Sequence, residues 1–245
     1  MRIYQIVFLL ISWMANSQTE FVISGHFSGM QQKEIILKSY DGLKETQLDK
    51  TVSDINGNFT LKYPSNYQGA ALIEIVQGKK VIALLNHESF QIDWSDLSSN
   101  KSLKFINSIE NQTFDSGISL YQNTQAKKAG ITSLIPYYEN EPKKSQFFTS
   151  ELAEINELIP NFLRKIPQEK YALYYLKLRF LIADFQLSLK RYPERISELK
   201  NQFLQLDFND SKMIHSGLYE DLLQTYINVV AERSDNYILL NQTTD

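Results

Sequence analysis

Asn56-Gly57-Asn58-Phe59-Thr60-Leu61-Lys62-Tyr63 decides the reading of the first half of the chain. A pair tolerant of positive φ is followed by Phe59, Leu61 and Tyr63 in strict alternation with polar neighbours, which is how a turn feeds a strand with one buried face. The period of two continues outward on both sides. Upstream, Phe21, Ile23 and Phe27 alternate with polar residues, and Ile35 and Leu37 follow; downstream come 70–76, 81–85 and 90–94. Asp41-Gly42 and Gln77-Gly78 supply further turns, so about seven or eight short strands are expected between Glu20 and Phe105. The fold expectation is α+β, opening with an antiparallel β-sandwich-like domain over 18–106.

After Ser145 the period becomes helical. Leu152, Ile155, Ile159, Phe162 and Ile166 share one face, with Pro160 expected to kink or restart that helix. Past Pro167, a stripe at three- and four-residue steps runs through Tyr171, Tyr174, Tyr175, Leu178, Leu181, Ile182, Phe185 and Leu189. Pro193 suits the start of another helix with Ile196, Leu199 and Phe203 inward, and Tyr219, Leu222, Leu223, Tyr226, Ile227 and Val230 mark a last one. Residues 145–245 therefore read as an antiparallel helical array. Between the halves, 107–144 is polar and contains Gly117, Gly130, Pro136 and Pro142, so it reads as a linker with a helix over Phe114–Lys128. The tail from Ser234 to Asp245 shows no clear period beyond Tyr237-Ile238-Leu239-Leu240.

Residues 1–17 read as an export signal. Arg2 gives the positive start, Ile6 to Met14 is apolar apart from Ser12, and Ala15-Asn16-Ser17 places small residues where a signal peptidase cuts, before Gln18. No later run reaches the roughly 20 apolar residues of a spanning helix, so no integral membrane segment is expected after cleavage, and the expected location is the periplasm or cell envelope. A net charge of −3 provides no basic field for a phosphate backbone, which argues against a nucleic-acid partner. The chain has no cysteine, and this excludes disulfides, a thiol nucleophile, a dithiol redox pair and a lipid-modified cysteine.

His26, His87 and His215 stand far apart with no ligand spacing, and His26 and His87 read as exposed or edge residues. Asp54-Ile55-Asn56-Gly57-Asn58 places oxygen side chains at alternate positions as calcium loops do, but its glycine falls too early and Ser65 stands where a bidentate glutamate belongs, so a hairpin turn explains it better. Ser24-Gly25 and Ser28-Gly29 read as turn material, without the nucleophile elbow of a serine hydrolase. Asp93, Asp96, Glu139 and Glu141 would serve a glycosidase only if the fold brought two of them together. The tyrosines at 171, 174 and 175 read as core rather than as a ligand groove, and the sequons at Asn58 and Asn111 matter only in a eukaryotic secretory pathway. No phosphate loop is present, and no catalytic, cofactor-binding or metal residue is expected.

Phe21-Val22-Ile23-Ser24-Gly25, Ile35-Ile36-Leu37-Lys38, Asp54-Ile55-Asn56-Gly57-Asn58-Phe59, Ala83-Leu84-Leu85 and Phe208-Asn209-Asp210-Ser211 give the chain a further signal. In this order it resembles the N-terminal region of the TlpA-like or ResA-like thiol-disulfide oxidoreductases exported by Bacteroidetes. The resemblance implies a small β domain of unassigned function and a helical segment, which in that family precede a thioredoxin-like domain with a Trp-Cys-x-x-Cys site. Here that site is missing, so the resemblance implies a non-catalytic accessory module. Its implied partner is a thioredoxin-like protein or its client, and the alternative is an independent envelope protein binding a peptide or saccharide on its sandwich.

Overall fold

In the computed structural model, residues 20–75, 78–191 and 193–229 are described. The expected export signal, Val76, Gln77, Val230 and the C-terminal tail lie outside the described residues.

The alternating stretches become eight strands: β1 (Glu20–Phe27), β2 (Glu34–Asp41), β3 (Lys44–Val52), β4 (Asn58–Pro64), β5 (Gln68–Ile75), β6 (Lys79–Asn86), β7 (Phe90–Trp94) and β8 (Leu103–Ile106). They form two four-stranded sheets, ordered β4-β1-β7-β8 (sheet A) and β3-β2-β5-β6 (sheet B). Ile23, Phe27, Phe59, Leu61, Tyr63, Ile35, Leu37, Ile73, Phe90 and Trp94 meet between the sheets as the sandwich core. One pairing departs from the antiparallel expectation, because β1 and β7 run parallel. After β6 the chain crosses from sheet B to sheet A, and β7 enters beside β1 in the same direction.

Two further details differ from expectation. The Asn56-Gly57 turn joins β3 in one sheet to β4 in the other, so it is an arch between sheets and not a hairpin. Gly57 is needed there, since its φ is +84° and a Cβ would stand 2.5 Å from the Phe27 carbonyl. Ser24 and Gly25 are not turn residues but lie within β1, where the Phe59 ring covers the glycine on the opposed strand. Ser28-Gly29 does form a turn, with Gly29 at φ +79°.

β5 reads as a nearly continuous apolar run because both of its faces are buried. Ala71, Ile73 and Ile75 enter the sandwich core, while Ala70 and Leu84 enter a second core built with the helices. Sheet B is thus a wall shared by the two halves.

The helices are α1 (Ile109–Leu134), α2 (Pro142–Lys165), α3 (Tyr171–Arg191), α4 (Ile196–Leu204), α5 (Ser211–Ile214) and α6, residues 219–229. The segment expected as a linker is therefore mostly helix, and α1 overruns the expected 114–128 at both ends. Its periodicity was hidden because its buried residues are Glu110, Asn111, Gly117 and Thr124, none of them apolar. Gly117 lets α1 approach α3 closely, since a Cβ there would lie 2.7 Å from a Leu176 methyl. Pro160 does not restart α2, which runs through it as one helix. The proline lies at an exposed position of that helix. Pro193 heads a 3-10 turn, Pro193–Arg195, that leads into α4.

α3 is the axis of the array. Tyr171, Tyr175, Leu178, Ile182 and Phe185 pack toward sheet B, α4 and α6, while Leu173, Leu176 and Phe180 meet Phe114, Ile118, Ile159 and Phe162 of α1 and α2 on the other side. The outer halves of α1 and α2 extend past this contact as a helical hairpin closed by the 3-10 turn Ile135–Tyr138.

Candidate functional site

Turning Ile23, Phe27, Phe59, Leu61, Phe90 and Ile92 inward forces Ser24, His26, Asn58, Thr60, Gln91 and Asp93 onto the outer face of sheet A. Strand register arranges them in two rows. One runs Asn58, His26, Asp93, Lys104 and the next Thr60, Ser24, Gln91, Ile106. Between the rows lies an open groove of about 440 Å³. The parallel β1–β7 pairing sets His26 directly against Asp93, with Nδ1 and Oδ1 3.0 Å apart and the side chains 41% and 36% exposed. At that exposure the pair is an adjustable hydrogen-bonding element rather than a stiff buried ion pair. β1 is an interior strand of its sheet, so His26 is part-exposed on a face and not at an edge.

The remaining sequence candidates are engaged in local structure. His87 is exposed at φ +56° and its Nδ1 lies 2.7 Å from the Ser65 carbonyl. The His215 ring packs tilted against Tyr67 with centroids 5.0 Å apart, and its Nδ1 lies 3.2 Å from the Gln68 carbonyl. The Asp54 carboxylate accepts from the Asn56 and Asn58 amides and from Asn58 Nδ2, and these bonds hold its proton affinity below the ordinary carboxylate range. It closes its own turn. Asp96 accepts from Ser98 in the same way, and Glu141 pairs with Lys144 at 2.8 Å. Asp93 and Asp96 belong to the sandwich while Glu139 and Glu141 belong to the helical hairpin, so the fold does not gather the four in one cleft. No group of three or more His, Cys, Asp or Glu poised for a metal occurs among the described residues. Tyr171 and Tyr175 are core residues, and burial raises both hydroxyls above the ordinary tyrosine value.

Sequence reasoning missed a buried polar joint between sandwich and helices. The Asn111 side chain accepts from the Leu84 amide at 2.7 Å and donates to the Leu84 carbonyl at 2.9 Å, so it bonds to β6 as a neighbouring strand would. Ser108 caps α1 by accepting from the Asn111 amide and donates its own hydroxyl to Glu88. Glu110, 1% exposed, accepts from Asn86 Nδ2 at 2.5 Å and from the Ala172 amide at 2.7 Å, with Lys170 3.7 Å away. That places a carboxylate on an unpaired N–H group at the start of α3. A Ser-x-x-Asn motif opening a segment without apolar period was the only available signal.

Glu88 is held above the ordinary carboxylate range, chiefly by burial and further by the Glu110 charge, with the Ser108 bond opposing. The folded state therefore binds the Glu88 proton more tightly than the unfolded chain does. Its contribution to stability is complete below the unfolded carboxylate pKa and is lost as pH rises through the raised folded value. Denaturant unfolding across that window should show Glu88→Gln losing less stability than the parent as pH rises, and parallel curves would refute the assignment. Asp54 and Asp96 titrate in both proteins and cancel in the difference.

No protein-family description matches this chain, and no curated protein matches it. Among solved structures, a 9R-lipoxygenase from Cyanothece aligns at 15% identity and a TM-score of 0.23, over 76% of this chain and 32% of that one. The chain thus spans about a third of the lipoxygenase, and a likeness this slight supports no argument about fold or activity. No helix among the described residues is long and apolar enough to cross a membrane.

Proposed function

We propose that this chain is an exported, non-catalytic binding module of the cell envelope, built like the accessory half of a thiol-disulfide oxidoreductase and engaging a protein partner. The observation that supports this reading is the apolar surface of the α1–α2 hairpin. Leu134 is 42% exposed, Tyr137 82%, Phe147 58% and Leu158 37%, and Tyr137 is the most exposed large hydrophobic residue described. Apolar side chains left exposed on a projecting element are a common mark of a protein contact. A groove of about 580 Å³ between Lys127, Leu134, Glu151 and Leu158 takes in the two leucines. Without cysteine the module has no thiolate to exchange, so its role is to present or hold a partner that has one.

Crosslinking in the envelope fraction, with intact mass and identification of the attached protein, tests this. A thioredoxin-like protein or its client is expected on the parent chain. The double variant Tyr137→Ser, Phe147→Ser should lose that capture while its stability changes by no more than about 0.5 kcal/mol per exposed site. A chain recovered alone, or equal capture by the variant, would refute the reading.

A second reading has its own observation. The two polar rows on sheet A offer amide, hydroxyl, imidazole and carboxylate groups across three strands, which suits an independent envelope protein that binds a peptide or saccharide there. Binding on a glycan or peptide array that Gln91→Ala abolishes would favour it.

A further inference from the structure

α1 contains two glycines, and the fold accounts for one of them. Gly117 lies against α3, where its missing Cβ makes room for Leu176, whereas a Cβ at Gly130 would meet nothing within 4 Å. Glycine inside a helix is costly, since it gives the unfolded chain more freedom and leaves backbone uncovered. The described packing of this chain does not ask for it at position 130.

Gly130 lies instead on the wall of the groove of about 580 Å³ between α1 and α2. Leu134 on α1 and Leu158 on α2 line the same groove, 42% and 37% exposed. Lys127 stands on the α1 wall, and Glu151 and Glu154 stand on the α2 wall. None of these three charged side chains has a hydrogen-bond or ion-pair partner among the described residues. The groove thus carries both halves of an ion pair on facing walls, unjoined, with leucines between them. Such a surface is complementary to itself.

We propose that the groove is occupied by the same groove of a second copy of this chain, the two hairpins packing into a four-helix dimer. The charges select the symmetry. A two-fold axis parallel to the hairpin sets α1 of each copy against α2 of the other without a change of level, so each Lys127 meets Glu151 and Glu154 of the second copy. An axis across the hairpin would set lysine against lysine and carboxylates against carboxylates. Between the ion pairs the leucines of both copies come together, and the absent side chain at Gly130 lets the facing helix approach. A basic helix from another protein would satisfy the glutamates but repel Lys127, and an acidic one would do the reverse. Tyr137 and Phe147 do not line this groove. Self-association is measured on the purified chain alone, so it and the capture of a different protein can fail separately.

Sedimentation equilibrium of the chain beginning at Gln18, in a concentration series reaching about 1 mM, should resolve a monomer–dimer equilibrium. Lys127→Glu makes the three groove charges negative, and Glu151→Lys with Glu154→Lys makes them positive. Each of these variants alone should dimerise at least about tenfold more weakly, and an equimolar mixture of the two should recover a heterodimer. Gly130→Leu has room in the monomer, so it should keep the parental helical circular dichroism while weakening the dimer at least about tenfold. The proposal is overturned by a monomer across the whole series, by a dimer indifferent to these substitutions, or by a mixture that dimerises no better than its components.

Discussion

Asn111→Leu should lower the free energy of unfolding by about 3 kcal/mol, because it strands a buried amide and a buried carbonyl that each lose a partner worth about 1–3 kcal/mol. Both groups belong to Leu84, on the edge strand β6, and the side chain that satisfies them is fully buried. Leucine matches asparagine roughly in size but offers neither donor nor acceptor. Asn111→Asp should be no better, since a carboxylate would accept from the Leu84 amide and repel the Leu84 carbonyl. Ser108→Ala, which removes the α1 cap, should cost about 1 kcal/mol. Urea unfolding of the three variants gives the ranking, and parental stability for Asn111→Leu would mean that the edge of β6 is satisfied some other way.

Gly69→Ala should be of similar severity, at about 3 kcal/mol, the upper part of the usual range for overpacking. A Cβ at Gly69 would stand 2.5 Å from His215 Cβ, 2.7 Å from the His215 carbonyl and 2.8 Å from the Tyr67 hydroxyl. The obstacle is backbone, and it cannot swing aside as a side-chain tip would. That same carbonyl accepts from the Ala70 amide at 2.9 Å, while the neighbouring Ile214 carbonyl accepts from Gly42 at 2.9 Å. Displacing it loosens the seam by which the segment around α5 is fastened to β5 and to the β2–β3 turn. Gly78→Ala is the comparison. It also sits near β5, but with open space around it and φ at +81°, so it should cost only the roughly 1–2 kcal/mol of a left-handed residue. Thermal melts showing Gly78→Ala as the worse variant would contradict the seam.

The sandwich was legible because its core positions are apolar and alternate with polar ones, as at Phe59, Leu61 and Tyr63. The α3 stripe was legible for the corresponding helical reason. What escaped was packing by residues that are not apolar. Glu110, Asn111, Gly117 and Thr124 make α1 a contacting helix, yet in sequence they look like linker composition. Leu173, Leu176 and Phe180 lay off the stripe because α3 is buried on two sides, and a single-face pattern has no place for a second interface. The His26–Asp93 pair was out of reach for another reason. It depends on β7 returning beside β1 in parallel, a pairing across 67 residues that no local period encodes.

The double burial of sheet B reaches beyond stability into how such a chain can change over generations. Ala70 answers to the helices and Ala71 to the opposite sheet, so adjacent codons of one strand are held by unrelated demands. A recombination event that separated the halves near residue 106 would hand the sandwich to its descendant with one side of a wall unclad. The two halves are in that sense heirs to each other, and whatever the chain does has to be inherited whole.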